Sequence, residues 1–261
     1  MFRNPIKKKI KTGHTIYGTM LQEMATPTTA QIFNRAGFDF FMIDCEHGPF
    51  DQGVVREILR VARLEQICPL VRIRNLDYSL VAGNLDAGAM GLMLPRVESV
   101  EDTKGLVQYM KYPPLGVRGL SSDAPHSDYI FGDLEEFIST QNEDTIAIAQ
   151  IERKIAIENL EEILSTPGID IALVGPEDLS LSYEVPGQTD HPKVVEAIEH
   201  VIEISSKLGI APGIHMGNVA VLSEWESKGM RVIMCNSDLG FLLEGAEENL
   251  KALKSKSAQN L

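Results

Sequence analysis

The sequence predicts an α/β fold, a single (β/α)8 barrel domain spanning residues 1–261. Short apolar runs rich in β-branched residues alternate along the chain with longer segments of helical periodicity, which is typical of parallel α/β folds. Eight such units over roughly 250 residues are the number that a (β/α)8 barrel requires. No repeat, low-complexity tract or linker divides the chain, so one domain is expected.

The predicted elements follow one another at regular intervals. Strands are expected to begin near Thr15, Phe38, Pro69, Gly91, Thr145, Ile169, Ile210 and Arg231. Helical patterns cover residues 53–64, 99–110, 155–164, 192–208 and 218–228, and most are opened by Asp, Ser or Asn, which cap helix N-termini. Residues 112–131 form a long interruption, and a loop of that length in a compact domain is more often functional than idle.

Composition and charge argue against several kinds of partner. The net charge of −13 argues against nucleic acids and anionic membranes as partners, because both require clustered Lys and Arg. Cys45, Cys68 and Cys235 lie in apolar runs without Cys-x-x-Cys spacing, which is typical of free thiols in a reducing compartment. No run approaches 18 apolar residues, and no apolar segment follows the N-terminal lysines. A cytoplasmic protein without a membrane span is expected.

Two carboxylates stand just past the ends of predicted buried strands. Glu152 follows the run 146–151, and Asp178 follows the run 169–174. A carboxylate removed from water loses several kcal/mol of hydration unless a positive group lies beside it. Magnesium and manganese ions prefer oxygen ligands, and two carboxylates plus waters leave room for a substrate. Alternatively, either residue could cap a helix or form a turn.

Other polar residues also stand at predicted strand ends, where (β/α)8 barrels build their active sites. The set comprises Asp44, Glu46, His47, Arg72, Asp86, Gln150, His215, Asn236 and Asp238. His47 precedes Gly48 and Pro49, which predicts a turn. A histidine in an apolar run, such as His215, is equally compatible with an inward-facing structural role.

Four motifs resemble those of the class II pyruvate aldolases of the HpcH/HpaI family. They are Asp44-x-Glu46-His47-Gly48-Pro49, Tyr112-Pro113-Pro114-x-Gly116-x-Arg118-Gly119, Gln150-x-Glu152 and Gly175-Pro176-x-Asp178-Leu179-Ser180. They occur in the family's order from about residue 18 to the last helix. The family includes 2,4-dihydroxyhept-2-ene-1,7-dioate aldolase and 2-keto-3-deoxy-sugar-acid aldolases. The resemblance implies reversible cleavage of a 4-hydroxy-2-oxo acid to pyruvate and a small aldehyde.

The resemblance also implies catalytic roles for individual residues. Glu152 and Asp178 match the ligands of a divalent cation, which would be Mg²⁺, Mn²⁺ or Co²⁺. His47 matches the catalytic base, and Asp86 matches the acid that pairs with it. Arg72 matches the arginine that binds the keto oxygen and stabilises the enolate.

Further residues are implied in substrate binding. Gln150 would lie near the keto acid, and the turn from Gly175 through Pro176 to Asp178 would offer backbone N–H groups to its carboxylate. His215 stands where relatives carry an apolar residue near the substrate. The loop 121–128 carries acids and no arginine, which favours a neutral or hydroxylated acceptor aldehyde over an acidic one.

Several alternatives remain open at the level of sequence. Arg72 could simply pair with Asp44 or Glu46, Asp86 could be a helix-end residue, and Arg118 could only tie down its own loop. An acyl-CoA lyase of the citrate-lyase beta type would share the metal carboxylates but needs basic residues for nucleotide phosphates, which the acidic charge disfavours. A barrel that binds a keto acid or metal without turnover is the third possibility.

The last helical pattern predicts a homo-oligomer. Apolar side chains repeat there at helical spacing at Leu239, Leu242, Leu243, Ala246, Leu250 and Leu253. An amphipathic helix of this kind needs a surface to cover its apolar face. The family resemblance implies that this C-terminal helix packs on, or is swapped with, a neighbouring subunit, with a hexamer favoured.

Overall fold

Eight parallel strands form a closed barrel in the computed structural model, which describes residues 2–129 and 132–258. Each strand pairs with the next in sequence, and the eighth pairs with the first. The strands are β1 (Ile16–Leu21), β2 (Phe40–Asp44), β3 (Cys68–Arg72), β4 (Gly91–Leu94), β5 (Ile146–Ile151), β6 (Ile169–Val174), β7 (Ala211–Met216) and β8 (Val232–Ser237). This confirms the predicted (β/α)8 fold.

Helices surround the barrel and connect consecutive strands. Within the described residues they are α1 (Pro5–Lys11), α2 (Thr28–Ala36), α3 (Gln52–Glu65), α4 (Tyr78–Asp86), α5 (Val100–Met110), α6 (Leu134–Asp144), α7 (Lys154–Glu158), α8 (Leu160–Leu164), α9 (Pro176–Ser182), α10 (Pro192–Leu208), α11 (Val219–Ser227) and α12 (Asp238–Ala258). None of these helices combines the length and apolar character needed to cross a membrane.

One predicted helix is divided in two. The pattern over residues 155–164 predicts a continuous helix, but α7 ends at Glu158 and α8 begins at Leu160. Asn159 between them leaves the helical conformation, with φ −105° and ψ 15°. Its side-chain amide donates to the carbonyl oxygen of Glu98 (3.3 Å), a contact with a distant segment that local periodicity does not reveal.

The strand side chains alternate between the barrel interior and the layer of helices. On β2, for example, Met42 belongs to the interior cluster and Ile43 to the outer one. The same alternation carries four polar side chains to the interior side at the carboxyl ends of the strands. They are Asp44, Arg72, Gln150 and His215. The barrel mouth is therefore polar, whereas the interior below it is apolar.

Helix α1 lies at the opposite end of the barrel, where the strands begin. Asn4 caps this helix by accepting hydrogen bonds from the backbone of Ile6 and Lys7. Ile6 is fully buried in the interior cluster. Lys7 Nζ donates to Asp170 Oδ1 (2.6 Å), at the start of β6. This helix fills the amino-terminal end of the interior, so the carboxyl ends of the strands form the polar end.

Candidate active site

Glu152 is a nearly buried carboxylate at the mouth of the barrel. Only 2% of the residue is exposed. Its Oε1 accepts a hydrogen bond from the backbone N–H of Arg96 (2.8 Å), and Gln150 Nε2 donates to its Oε2. Burial raises the pKa of Glu152 to about 7, and the nearby carboxylates of Asp178 and Glu46 act in the same direction. When ionised, such a group needs a cation beside it.

The predicted base and the second predicted metal ligand line one cavity together with Glu152. This cavity has a volume of about 540 Å³, and its walls are Glu46, His47, Arg96, Glu152, Arg153, Asp178, Leu181, Ser182 and Glu184. Asp178 lies in the first turn of α9 and is exposed to the cavity. His47 lies in the turn after β2, with 67% of its side chain exposed and its Nε2 3.7 Å from Glu46 Oε2.

Arg72 and Asp44 form a buried ion pair beneath this cavity. Arg72 donates from Nε to Asp44 Oδ1 (2.8 Å) and from Nη2 to Oδ2 (2.6 Å). Burial opposes ionisation of Asp44, but the hydrogen bonds and charge of Arg72 outweigh it and lower the pKa of this carboxyl. Asp44 Oδ1 also accepts the N–H groups of Glu46 and His47 (3.1 and 3.2 Å). The pair thus holds the turn that carries His47. Arg72 also makes the ion pair with Asp44 that the sequence left open as an alternative role for it.

Gly175 allows a close approach of β6 to the Glu152 carboxylate. A Cβ at this position would lie 2.8 Å from Glu152 Oε2 and 3.1 Å from Gln150 Nε2, so a side chain does not fit there without displacing them. Gln150 is buried, and its Oε1 has no hydrogen-bond partner among the described residues. An orphaned acceptor next to the Glu152 carboxylate is an unusual arrangement in a buried site.

The turn after β6 differs in one respect from the prediction. The N–H of Gly175 donates to the carbonyl oxygen of Ile151 (3.2 Å), and Pro176 has no N–H. Neither residue therefore offers a backbone donor to a substrate carboxylate. The N–H of Gly175, which the sequence motif suggested was free to bind substrate, is used in the pairing of β5 with β6. The N–H groups of Glu177 and Asp178, in the first turn of α9, remain as donors at this position.

His215 lies on β7 and is half-buried at the barrel mouth. Its Nε2 lies 2.9 Å from the carbonyl oxygen of Asn236, the fifth residue of β8. Burial lowers the pKa of His215, and the positive charge of Arg72 acts in the same direction. The side chain therefore stays neutral near pH 7 and lies on the same side of the barrel wall as Arg72.

Asp86 does not lie beside His47 within the chain, which corrects the predicted pairing of these two residues. It is the last residue of α4, and barrel helices run antiparallel to the strands, so it lies at the end where the strands begin. Its Oδ1 accepts a hydrogen bond from Arg118 Nη2 (2.6 Å). Arg118 is buried and stacks on the ring of Tyr112, 4.7 Å from the ring centroid. Arg118 therefore ties down its own loop, as the alternative for this residue supposed.

Arg96 is a site residue that sequence reasoning missed. Its backbone adopts the left-handed region with φ 51°, which turns its N–H toward Glu152. Its Nε lies 3.3 Å from Glu46 Oε1, so the same residue contacts two acids of the cavity. The signal in the sequence that could have predicted this role is the position of Arg96, a charged residue just after the apolar run of β4.

Asp238, which the sequence grouped with the strand ends without assigning it a role, joins two loops at the mouth. Its carboxylate accepts the backbone N–H groups of Gln22 (2.8 Å), Glu23 (3.0 Å) and Met24 (2.6 Å). The carbonyl oxygen of Gln22 would lie 2.7 Å from a Cβ on Gly48, the residue after His47. Asp238 thus holds the loop after β1 against the turn that carries the predicted base.

Comparison with known proteins identifies the family. The sequence model described as HpcH/HpaI aldolase/citrate lyase matches residues 19–244. The chain belongs to the HpcH/HpaI aldolase/citrate lyase family. A hydroxypyruvate/pyruvate aldolase from Paraburkholderia phytofirmans is 31% identical over 97% of this chain and 99% of its own length. A 4-hydroxy-2-oxo-heptane-1,7-dioate aldolase from Salmonella typhimurium is 32% identical over 94% of this chain and 92% of its own length.

A solved structure of the same HpcH/HpaI family agrees with the fold. The crystal structure of an HpcH/HpaI aldolase from Desulfitobacterium hafniense matches with a TM-score of 0.92 and 32% identity. The match covers 95% of this chain and 96% of that one. The family that the sequence motifs predicted is therefore confirmed.

The residues of the cavity fit a divalent cation of the kind that such aldolases use. Within the described residues, no group of three or more His, Cys, Asp or Glu side chains is arranged to hold a metal ion. Glu152 and Asp178 supply two carboxylates, and Mg²⁺ is commonly held by one or two carboxylates with waters and substrate in its other positions. A cation beside Glu152 would compensate the charge of this carboxylate, whose pKa burial raises. The waters of that cation would offer hydrogen-bond donors to Gln150 Oε1, which has no partner among the described residues.

Proposed function

We propose that the protein is a divalent-metal-dependent aldolase that reversibly cleaves a 4-hydroxy-2-oxo acid to pyruvate and a small aldehyde. The observation that carries this proposal is that Glu152, Asp178 and His47 line the same cavity. The aldolase names of relatives that cover almost the whole chain support the same class of reaction. The reaction breaks the C3–C4 bond of the 4-hydroxy-2-oxo acid in cleavage and forms the same bond in synthesis.

The enolate of pyruvate is the species that the site must stabilise. Carbon 3 of pyruvate loses a proton only if the charge that develops on the keto oxygen is neutralised as it forms. A divalent cation held by Glu152 and Asp178 would supply positive charge at that oxygen. Arg72 would add positive charge on the same side, and its two hydrogen bonds to Asp44 fix the plane of its guanidinium.

His47 acts as the base in the proposed reaction. In cleavage, it takes the proton of the C4 hydroxyl, the C3–C4 bond breaks, and the electron pair of that bond becomes the enolate while the aldehyde departs. The enolate then takes up a proton at carbon 3 and becomes pyruvate. In synthesis, the same imidazole returns the proton to the new hydroxyl. An imidazole exchanges protons near neutral pH, which suits both directions. Glu46, and not Asp86, is the carboxylate nearest to His47 Nε2 in this chain.

The keto acid is proposed to lie on the interior side of the cavity, against Arg72, Gln150 and His215. Gly175 lets the side chains of Gln150 and Glu152 lie close to the backbone after β6, because a Cβ there would come within 2.8 Å of Glu152 Oε2 and 3.1 Å of Gln150 Nε2. The acceptor aldehyde then occupies the outer part, between His47 and Asp178. In this proposed arrangement, the C3–C4 bond lies between His47 and the carboxylates of Glu152 and Asp178.

Deuterium exchange into the methyl group of pyruvate tests the proposal. We expect exchange with added Mg²⁺, Mn²⁺ or Co²⁺ and none with a chelator. Glu152→Ala and Asp178→Ala should lose the metal-dependent exchange, whereas His47→Ala should bind Mn²⁺, measured by titration, yet lose most exchange. Full activity in chelator, or trapping of pyruvate on Lys154 by borohydride, would contradict a metal mechanism and indicate an imine.

A further inference from the structure

Three neighbouring strands of the barrel, β8, β1 and β2, end in segments that lie side by side at the mouth. β1 pairs with β8 on one side and with β2 on the other. Parallel strands end at the same rim, so the segments that follow them leave the barrel next to one another. These segments are the start of α12 at Asp238, the loop 22–27 and the turn 45–49, which carries His47.

Asp238 binds the middle segment through a buried carboxylate. Only 4% of the residue is exposed. Its Oδ1 accepts the N–H of Gln22 (2.8 Å), and its Oδ2 accepts the N–H groups of Glu23 (3.0 Å) and Met24 (2.6 Å). Asp238 is not among the residues that line the cavity of Glu152, so its effect on that cavity is indirect.

The Asp238 carboxylate serves another segment rather than its own helix. An acid at the start of a helix commonly accepts the free N–H groups of that helix. At α12, however, Oγ of Ser237 accepts the N–H of Gly240 (3.3 Å). The oxygens of Asp238 bind a segment that lies 214 to 216 residues away in sequence. Asp238 therefore joins two parts of the rim.

The loop after β1 lies directly against the residue that follows His47. A Cβ on Gly48 would lie 2.7 Å from the carbonyl oxygen of Gln22, which is closer than a side chain tolerates. From another direction, Asp44 Oδ1 accepts the N–H groups of Glu46 and His47 (3.1 and 3.2 Å). Two contacts therefore fix the turn, one with Asp44 and one with the Gln22 carbonyl that Asp238 holds in place.

We propose that Asp238 is a positioning residue that sets the place of His47 in the cavity and thereby sets kcat. This inference rests on the proposed aldolase function, in which His47 is the base. A displacement of a reacting group by about 1 Å can lower the rate about 100-fold. Glu152 and Asp178 follow β5 and β6, which are not neighbours of β8, β1 or β2, so Asp238 does not set the position of the metal ligands.

Asp238→Asn tests this role. The amide has the same shape, but its NH2 group replaces an acceptor oxygen at a place where the loop presents N–H donors. Metal-dependent deuterium exchange into pyruvate gives kcat and KM, and titration gives the Mn²⁺ affinity. We expect kcat to fall about 10- to 100-fold, whereas the KM for pyruvate and the Mn²⁺ affinity change by less than about twofold.

Asp238→Glu is the conservative variant, because it keeps both acceptor oxygens and the charge on a longer side chain. It should keep more of kcat than Asp238→Asn, with the same unchanged KM and Mn²⁺ affinity. If the Asn variant does not fold, the Glu variant alone must show a lowered kcat without a change in KM or Mn²⁺ affinity, and otherwise the proposal is wrong.

Asp170→Asn is the matched control. Asp170 is also a partly buried carboxylate that accepts a backbone N–H, that of Ala147 (3.0 Å), but it lies at the start of β6, at the opposite end of the barrel. This variant should lose stability and keep the kcat of the wild type. An equal loss of kcat in the control would show that any lost carboxylate has this effect and would overturn the proposal.

Two results with Asp238→Asn would also overturn the proposal. One is a kcat equal to that of the wild type. The other is a parallel loss of kcat and Mn²⁺ affinity, which would mean that the whole mouth is disturbed. Absence of metal-dependent exchange in the wild type is a different outcome, because then the proposed function itself fails and this inference fails with it.

Discussion

Two carboxyl groups at the barrel mouth, Asp44 and Glu152, each accept hydrogen bonds from a neighbouring side chain, and their surroundings determine how readily each one ionises. Arg72 keeps Asp44 ionised in a buried position, at 2.6–2.8 Å. Gln150 donates to Glu152, whose pKa burial nevertheless raises to about 7. The first pair is electrostatically complete, whereas the second has excess negative charge. A cation would therefore change the ionisation of Glu152 more than that of Asp44.

The stability of the metal-free protein should decrease as the pH rises from 4.5 to 7. Glu152 has an ordinary pKa of 4.5 that burial raises to about 7, so the folded state holds more protons than the unfolded state in this window. A shift of that size corresponds to about 3 kcal/mol. Thermal unfolding in chelator across this range is the measurement, and Glu152→Gln should flatten the pH dependence.

Metal binding should show the reverse trend in the same window. A cation binds the ionised carboxylate, so its affinity should increase with pH up to about 7 and level off above it. Titration of Mn²⁺ into the protein at several pH values measures this. An affinity that is constant between pH 5 and 7 would contradict a ligand role for Glu152.

Asp44→Asn should destabilise the protein strongly. It removes one charge of a buried pair and leaves Arg72, with 8% of its side chain exposed, with only the longer contact from its Nη1 to Glu46 Oε2 (3.4 Å). Loss of one partner from such a pair costs about 3 to 5 kcal/mol. Denaturant unfolding measures the free energy. Asp123→Asn, on the exposed loop, is the control and should change it by less than about 0.5 kcal/mol.

At the level of elements, the strand ends and the loops that follow them determine where the polar groups meet. β6 approaches β5 closely at Gly175, and the start of α12 binds the loop after β1 through Asp238. The Arg96 backbone, after β4, binds the Glu152 carboxylate. The Glu152 carboxylate thus accepts hydrogen bonds from Arg96, after β4, and from Gln150 of β5, which give it a fixed position before any ligand binds.

Gly175→Ala should weaken metal binding more than it weakens the fold. The added Cβ would lie 2.8 Å from Glu152 Oε2 and displace that carboxylate. We expect a loss of Mn²⁺ affinity of at least tenfold, measured by titration. Gly83→Ala is the control, because a Cβ on this exposed position of α4 meets no atom within 4 Å. It should keep the metal affinity and stabilise the helix by about 0.5–1 kcal/mol.

At the scale of the whole molecule, the outer surface of α12 is unusually apolar. Leu242, Leu243 and Leu250 are 58%, 60% and 52% exposed on this helix of 21 residues. An exposed apolar face of this extent marks an interaction surface. We propose that it packs against another copy of the chain, as the sequence predicted, in a homo-oligomer that the family resemblance suggests is a hexamer.

Light scattering at micromolar concentration should therefore give a mass that is a multiple of 28.8 kDa. The double substitution Leu243→Ser and Leu250→Ser should lower that mass, because it removes apolar area from the contact. Lys251→Ser, at an exposed position on the same helix, is the control and should not. A wild-type mass of one chain would contradict the prediction.

The sequence by itself determined the fold class, the family and the segments that carry the site. Apolar periodicity is a local property, so all eight strands were predicted within two residues of their observed starts. Because parallel strands in a closed barrel end at one rim, the order of residues along the chain suffices to group Glu152, Asp178 and His47 there. The enzyme class follows from the same motifs and agrees with the relatives.

Only the tertiary structure decided how those side chains are paired. Asp86 was grouped with strand ends, yet it ends a helix that returns to the other rim and bonds to Arg118, 32 residues away in sequence. The ring proton of His215 is placed by the carbonyl of Asn236, 21 residues further along the chain. Such contacts depend on which strands are neighbours and where each side chain points, because a hydrogen bond requires atoms within about 3 Å and periodicity describes only one segment at a time.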